Sequence, residues 1–149
     1  LYIEGGRTIV MPNKGLIIGI ALIISGFSQG INNRFQMVSD EEYDLLKRVC
    51  MSECGGEYGE PLEGKVAVVR TIFNRCRIYK KSIAEIVYEP NQYSTANNGT
   101  PDDSVALAVE LAIIHDCYPK NMIYFNAGGY ADYYEPYTQI GAHYFGLTN

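Results

Sequence analysis

The sequence predicts an α+β fold, mainly helical, in a single domain with a small β-sheet. Three observations predict it. The chain has 149 residues, the size of one domain built on one hydrophobic core. Between Ser39 and Asp116, stretches with helix-start chemistry alternate with breaks marked by glycine, proline or asparagine. From Met122 onward the helical spacing gives way to short aromatic segments separated by Gly128-Gly129, the composition of strands. Hydrophobic residues at 47% and charged residues at 19% are those of a globular chain, which excludes disorder throughout.

The N-terminal part reads as a processing signal. Leu16 to Ile24 is an unbroken run of apolar residues and glycine behind Lys14, and Gly26 and Ser28 supply small residues before a cleavage point at Gln29. That is the layout of a secretory signal peptide, and the run is shorter than the roughly 20 residues a spanning helix needs. Residues 11–28 are therefore expected to be a signal peptide or short hydrophobic N-terminal segment starting at Met11, with no stable membrane span after cleavage. Glu4-Gly5-Gly6-Arg7 can be encoded by a purine-rich stretch resembling a bacterial ribosome-binding site. Residues 1–10 are accordingly expected to lie upstream of the true start.

Within the folded part, Ser39-Asp40-Glu41-Glu42 is a capping box that opens a helix running to about Cys54, where Gly55-Gly56 ends it. A second helix follows Pro61 and runs through Val66, Ala67, Val69 and Phe73 to about Arg77. It is apolar on most of its circumference, which predicts the central buried helix. A short helix spans Ser82 to Tyr88, followed by a polar loop from Glu89 to Gly99. Thr100-Pro101-Asp102-Asp103 caps the last long helix, which is expected to run to about Asp116. Met122 to Asn126 and Ile140 to Phe145 read as two strands.

Leu46, Val49, Cys50 and Glu53 are spaced i, i+3, i+4, i+7, so the spacing sets a carboxyl group on the buried stripe of the first helix. Desolvation and the negative end of the helix dipole both favour its protonated form. A carboxylic acid that stays protonated near neutral pH is what glycosidic bond cleavage needs, because the departing oxygen must receive a proton. Glu57, Glu60 and Glu63 follow in a glycine-interrupted loop and are candidates for a second carboxylate.

Other chemistries find less support. No GxSxG, phosphate loop or HExxH occurs, and neither His115 nor His143 sits with a cysteine in a nucleophile–base motif. Cys50, Cys54, Cys76 and Cys117 are an even number in a chain that looks exported, compatible with one or two disulfides; their spacing does not suit zinc, and no metal is expected. The net charge of −5 with no basic block disfavours nucleic acid as a partner. Of 13 tyrosines, seven fall between Tyr118 and Tyr144, rings that can fill a core or stack on sugars.

Arg48-Val49-Cys50-Met51-Ser52-Glu53-Cys54-Gly55-Gly56-Glu57, then Gly59-Glu60-Pro61-Leu62-Glu63-Gly64-Lys65-Val66-Ala67-Val68 and Asn74-Arg75, form an ordered set of motifs. Asn91-Gln92-Tyr93-Ser94, Tyr124-Phe125-Asn126 and Ile140-Gly141-Ala142-His143-Tyr144-Phe145 complete it. The set resembles the spore cortex-lytic, SleB/CwlJ-type cell wall hydrolases, from about Ser39 to Phe145. The resemblance implies a lysozyme-like (lytic-transglycosylase-like) fold, with residues 39–149 as the cell wall hydrolase catalytic domain. It implies cleavage of peptidoglycan glycan strands by one glutamate acting as acid and base, without cofactor, in a secreted or cell-envelope protein of bacterial or phage origin.

That glutamate maps to Glu53. Cys54 stands where the family usually has alanine, and the loop from Glu53 to Gly64 is longer than usual, so a rigid alignment on Gly59-Glu60-Pro61 makes Glu57 the runner-up. Gln92, Tyr93, Ser94, Tyr124, Asn126 and His143 are the candidate substrate contacts, since amide, hydroxyl and ring groups suit N-acetyl sugars. The leading expectation is lytic transglycosylation of the MurNAc–GlcNAc linkage. Simple hydrolysis, with Glu57 or Glu60 positioning water, and a non-catalytic peptidoglycan-binding module are the alternatives.

Overall fold

The computed structural model describes residues 3–4, 7–8, 37–56, 58–94 and 100–149. It comprises two units, Leu1–Met37 and Val38–Asn149. In the first, β1 (Ile3–Glu4) pairs antiparallel with β2 (Arg7–Thr8). The expected signal segment, residues 11–28, lies outside the described residues.

The described residues of the second unit form an α+β fold of four helices and a three-stranded sheet. Ser39 caps α1 (Asp40–Cys54) with the expected reciprocal box: its hydroxyl accepts from the Glu42 N–H at 3.2 Å, and Glu42 accepts from the Ser39 N–H at 3.0 Å. α1 buries Tyr43, Leu45, Leu46, Val49, Cys50 and Cys54. α2 (Leu62–Tyr79) packs against α1, α3 (Ile83–Val87), α4 (Asp103–Ile114) and strand β3 (Met122–Asn126), so it is the central helix. It is also unusually polar for one, burying Lys65, Arg70, Thr71, Asn74 and Arg75.

A buried polar group needs a partner, and these tie distant segments to the helix. Asn74 donates to the carbonyls of Pro119 and Met122 at 2.9 Å each, and Arg70 donates to the Ala112 carbonyl at 3.1 Å and to Asp116. Asp116 belongs to the loop: α4 ends at Ile114, two residues short of the expected end, with His115 already extended.

The sheet corrects the two-strand expectation. β3, β4 (Glu135–Ile140) and β5 (His143–Leu147) are antiparallel in the order β3-β5-β4. Ile140 to Phe145 is therefore the end of β4, a turn at Gly141-Ala142, and the start of β5. Ile140 pairs with His143 across that turn, and Gly141 takes φ +59°, the positive first position that a two-residue hairpin of the II′ kind requires. β4 escaped the sequence reading because it is an exposed edge strand containing Pro136, with little of the alternating burial that marks a strand.

The even cysteine count is compatible with disulfides and equally with small buried thiols; all four cysteines are free. Cys50 and Cys54 are both buried, one helical turn apart. The hydrogen bond shared with the Cys50 thiol and burial, with smaller contributions from the carboxylates of Glu53 and Glu60, push the Cys54 thiol well above the ordinary thiol range.

Candidate active site

Glu53 lies in the last turn of α1, half-buried, with no basic residue in that turn to offset the helix dipole. Its carboxylate accepts a hydrogen bond from the backbone N–H of Ser94, in the loop after α3. Desolvation pushes its pKa above the ordinary carboxylate range; the Ser94 N–H and the nearby His143 oppose that rise without cancelling it. The group is thus biased toward a protonated acid and remains able to carry charge.

Glu60 comes from the loop between α1 and α2, and that loop is pinned at both ends. The Glu60 N–H donates to the Cys54 carbonyl at 2.7 Å, and the buried Lys65 ammonium donates to the Glu60 carbonyl. Both carboxylate oxygens accept from the Ala142 N–H at 3.1 Å. His143, 5% exposed, presents Nδ1 to Glu60 Oε1 at 3.7 Å, and Nδ1 has no hydrogen bond within the protein. The His143 ring packs edge-on to Phe125, with centroids 5.2 Å apart, and against Phe145 at 6.2 Å.

A second group of side chains supports the Ser94 loop. Arg75 of α2 donates to the Gln92 side-chain carbonyl, and its guanidinium lies 5.3 Å from the Tyr93 ring. The Tyr93 hydroxyl shares a 3.2 Å hydrogen bond with Thr71, and its ring meets Phe125 at 5.9 Å. Continuous contacts therefore run from Arg75 through Tyr93 and Phe125 to His143.

The structure brings together Glu53, Gln92, Tyr93, Ser94 and His143. Tyr124 and Asn126 are placed elsewhere: alternation along β3 turns them to the sheet face opposite Phe125. There Tyr124 stacks on Tyr134, and Asn126 donates to the Gly129 carbonyl at 3.1 Å. Glu57 lies outside the described residues. Arg75 and Phe125 stand within the motifs of the resemblance but, like Thr71, are not among the site residues that the sequence suggests. For Phe125 a signal existed, since residues two apart on a strand share a face and it sits opposite Phe145.

Among the described residues, no three His, Cys, Asp or Glu side chains are grouped to hold a metal ion. Nor is any described helix long and apolar enough to cross a membrane. A groove of about 360 Å³ between α2 and α4, lined by Leu62, Glu63, Val66, Leu111, His115, Cys117 and Tyr118, is separate from the group around Glu53 and holds Glu63, a candidate second carboxylate, apart from it.

Residues 59–146 match the family model described as Cell Wall Hydrolase, a span that begins after Glu53. Neither the curated proteins nor the solved structures contain a match to the chain. Because the matched span takes in more than half of the chain, including Glu60, Arg75, the Gln92-Tyr93-Ser94 loop and His143, the chain belongs to the SleB/CwlJ-type cell wall hydrolases.

Proposed function

We propose that the protein cleaves the MurNAc–GlcNAc linkage of peptidoglycan as a lytic transglycosylase with a lysozyme-like arrangement, working outside the cytoplasm as a secreted or cell-envelope enzyme. The family supports a peptidoglycan substrate. The observation that carries the mechanism is the half-buried carboxyl of Glu53, raised in pKa and fixed by the Ser94 N–H.

As the acid, Glu53 gives its proton to the glycosidic oxygen while the bond from MurNAc C1 to that oxygen breaks, and GlcNAc leaves with a free hydroxyl. The resulting carboxylate then takes the proton of the MurNAc 6-hydroxyl, whose oxygen closes on C1 to form the anhydro ring. Proton balance is kept and no water is consumed. The Ser94 N–H that fixes the acid also lowers the cost of the intervening carboxylate. Gln92, Tyr93 and Ser94 are the proposed sugar contacts beside the acid.

Hydrolysis would instead require a second carboxylate to activate water. Glu60, the described candidate, is engaged with the Ala142 N–H and faces His143, which favours the single-acid route. Mass spectrometry of digested sacculi distinguishes the two. Transglycosylation yields anhydro-MurNAc ends, lighter by one water; products with ordinary reducing ends would overturn it in favour of hydrolysis. Binding to sacculi without any release of fragments would leave only a wall-binding module.

A further inference from the structure

The two faces of the sheet carry different chemistry. Phe125, His143 and Phe145 lie on the inner face, whereas Tyr124, Asn126, Tyr144 and Gly146 occupy the outer one. The loop between β3 and β4 folds back over that outer face. Tyr134 stacks on Tyr124 with centroids 5.2 Å apart and planes 12° from parallel. Its ring fills the place a side chain at residue 146 would occupy, so a glycine is needed there for the ring to lie on the strand. Tyr133 meets Tyr134 edge-on at 5.2 Å, and Tyr130 meets Tyr144 edge-on at 5.1 Å.

The rings are thus fixed from below and open above: Tyr134 is 7% exposed, but Tyr130 is 41% and Tyr133 72% exposed. Rings already held in place lose little freedom on binding. Residues 126–135 contain Asp132 and Glu135 but no Lys or Arg, which does not suit a nucleic acid or an anionic membrane and leaves ring stacking and hydrogen bonding as the means of binding. Each open ring has an apolar face and a hydroxyl tip. That pairing matches a pyranose, which offers C–H groups on its face and hydroxyls around its rim.

We propose that the outer tyrosine face, led by Tyr130 and Tyr133, is a second glycan-binding surface that holds the enzyme on its polymer away from the cleavage site. The choice of polymer rests on the proposed peptidoglycan substrate. Sedimentation with purified sacculi tests it in the full chain carrying Glu53→Gln, so that binding is read without cleavage. Tyr130→Ala/Tyr133→Ala in that background should bind about tenfold more weakly, the scale of losing exposed aromatic anchors. Tyr130→Phe/Tyr133→Phe, which keeps the stacking faces, should retain most of the affinity.

Unchanged binding by the alanine pair would overturn the proposal, as would tyrosine-dependent binding to phosphatidylglycerol vesicles with none to sacculi. Clearing of sacculi by the parent protein is followed in parallel. Clearing without any tyrosine dependence of binding sinks the surface and leaves the cleavage reading. Tyrosine-dependent binding without clearing does the reverse.

Discussion

Oε1 of Glu60 stands 3.7 Å from Nδ1 of His143, joining the loop after α1 to the first residue of β5. Since the same carboxylate accepts from the Ala142 N–H, it fixes the β4–β5 turn and faces the histidine that acts on Glu53. Glu60→Ala should therefore lower stability by about 1.5–3 kcal/mol, the scale of a lost hydrogen bond to a charged group. Glu60→Gln should recover most of that loss. Urea unfolding midpoints check this, and equal midpoints for all three proteins would contradict it.

Gly141 makes the same turn sensitive to a single methyl group. At φ +59° a side chain is strained, and a Cβ there would run into the Glu60 carboxylate. Gly141→Ala should cost about 2 kcal/mol from these two effects together. Thermal unfolding by circular dichroism measures it, and an unchanged melting temperature would show that Glu60 is free to move aside.

The raised pKa of Glu53 sets the direction of a pH effect. Its carboxyl holds its proton more tightly in the folded protein than in the unfolded chain, so ionisation disfavours folding. The stability this provides is complete below the unfolded pKa and is lost as pH rises through the folded one. Glu53→Gln cannot ionise, so it should melt higher than the parent at neutral pH and equally near about pH 3, well below the ordinary glutamate pKa of about 4.3, where both are uncharged. A gain that grew on acidification would contradict the assignment.

Gln92 was expected from sequence to contact substrate, and the structure gives it a partner in Arg75. Gln92→Ala should therefore lower stability by about 1 kcal/mol, through loss of that bond, as well as reduce turnover by disturbing the Tyr93-Ser94 segment. Comparing unfolding midpoints with the initial rate of sacculus clearing checks both halves.

Local signals in the sequence located the helices well. Ser39, Ser82 and Asp102 cap helices, although Pro101, read as part of the first turn of α4, precedes its cap, and the i, i+3, i+4, i+7 spacing carries Glu53 to the half-buried end of the stripe formed by Leu46, Val49 and Cys50. What was hidden depends on distant contacts. Glu60 reads as a solvated loop charge until Ala142 and His143, from the other end of the domain, come beside it. Arg75 enters from sequence only within the Asn74-Arg75 motif, and its partners Gln92 and Tyr93 come from the loop after α3. β4 was illegible because Pro136 and its exposed edge position suppress the pattern of a strand, and the outer placement of Tyr124 depends on the register that β5 imposes.

The central claim is that Glu53 is the acid. The most direct test is the rate at which Glu53→Gln clears purified sacculi, beside the parent and Glu57→Gln at equal folded concentration. Losing an acid–base residue should reduce the rate by about a hundredfold or more, while Glu57→Gln stays close to the parent. A folded Glu53→Gln protein with full activity, or a pair in which only Glu57→Gln is inactive, would contradict the account.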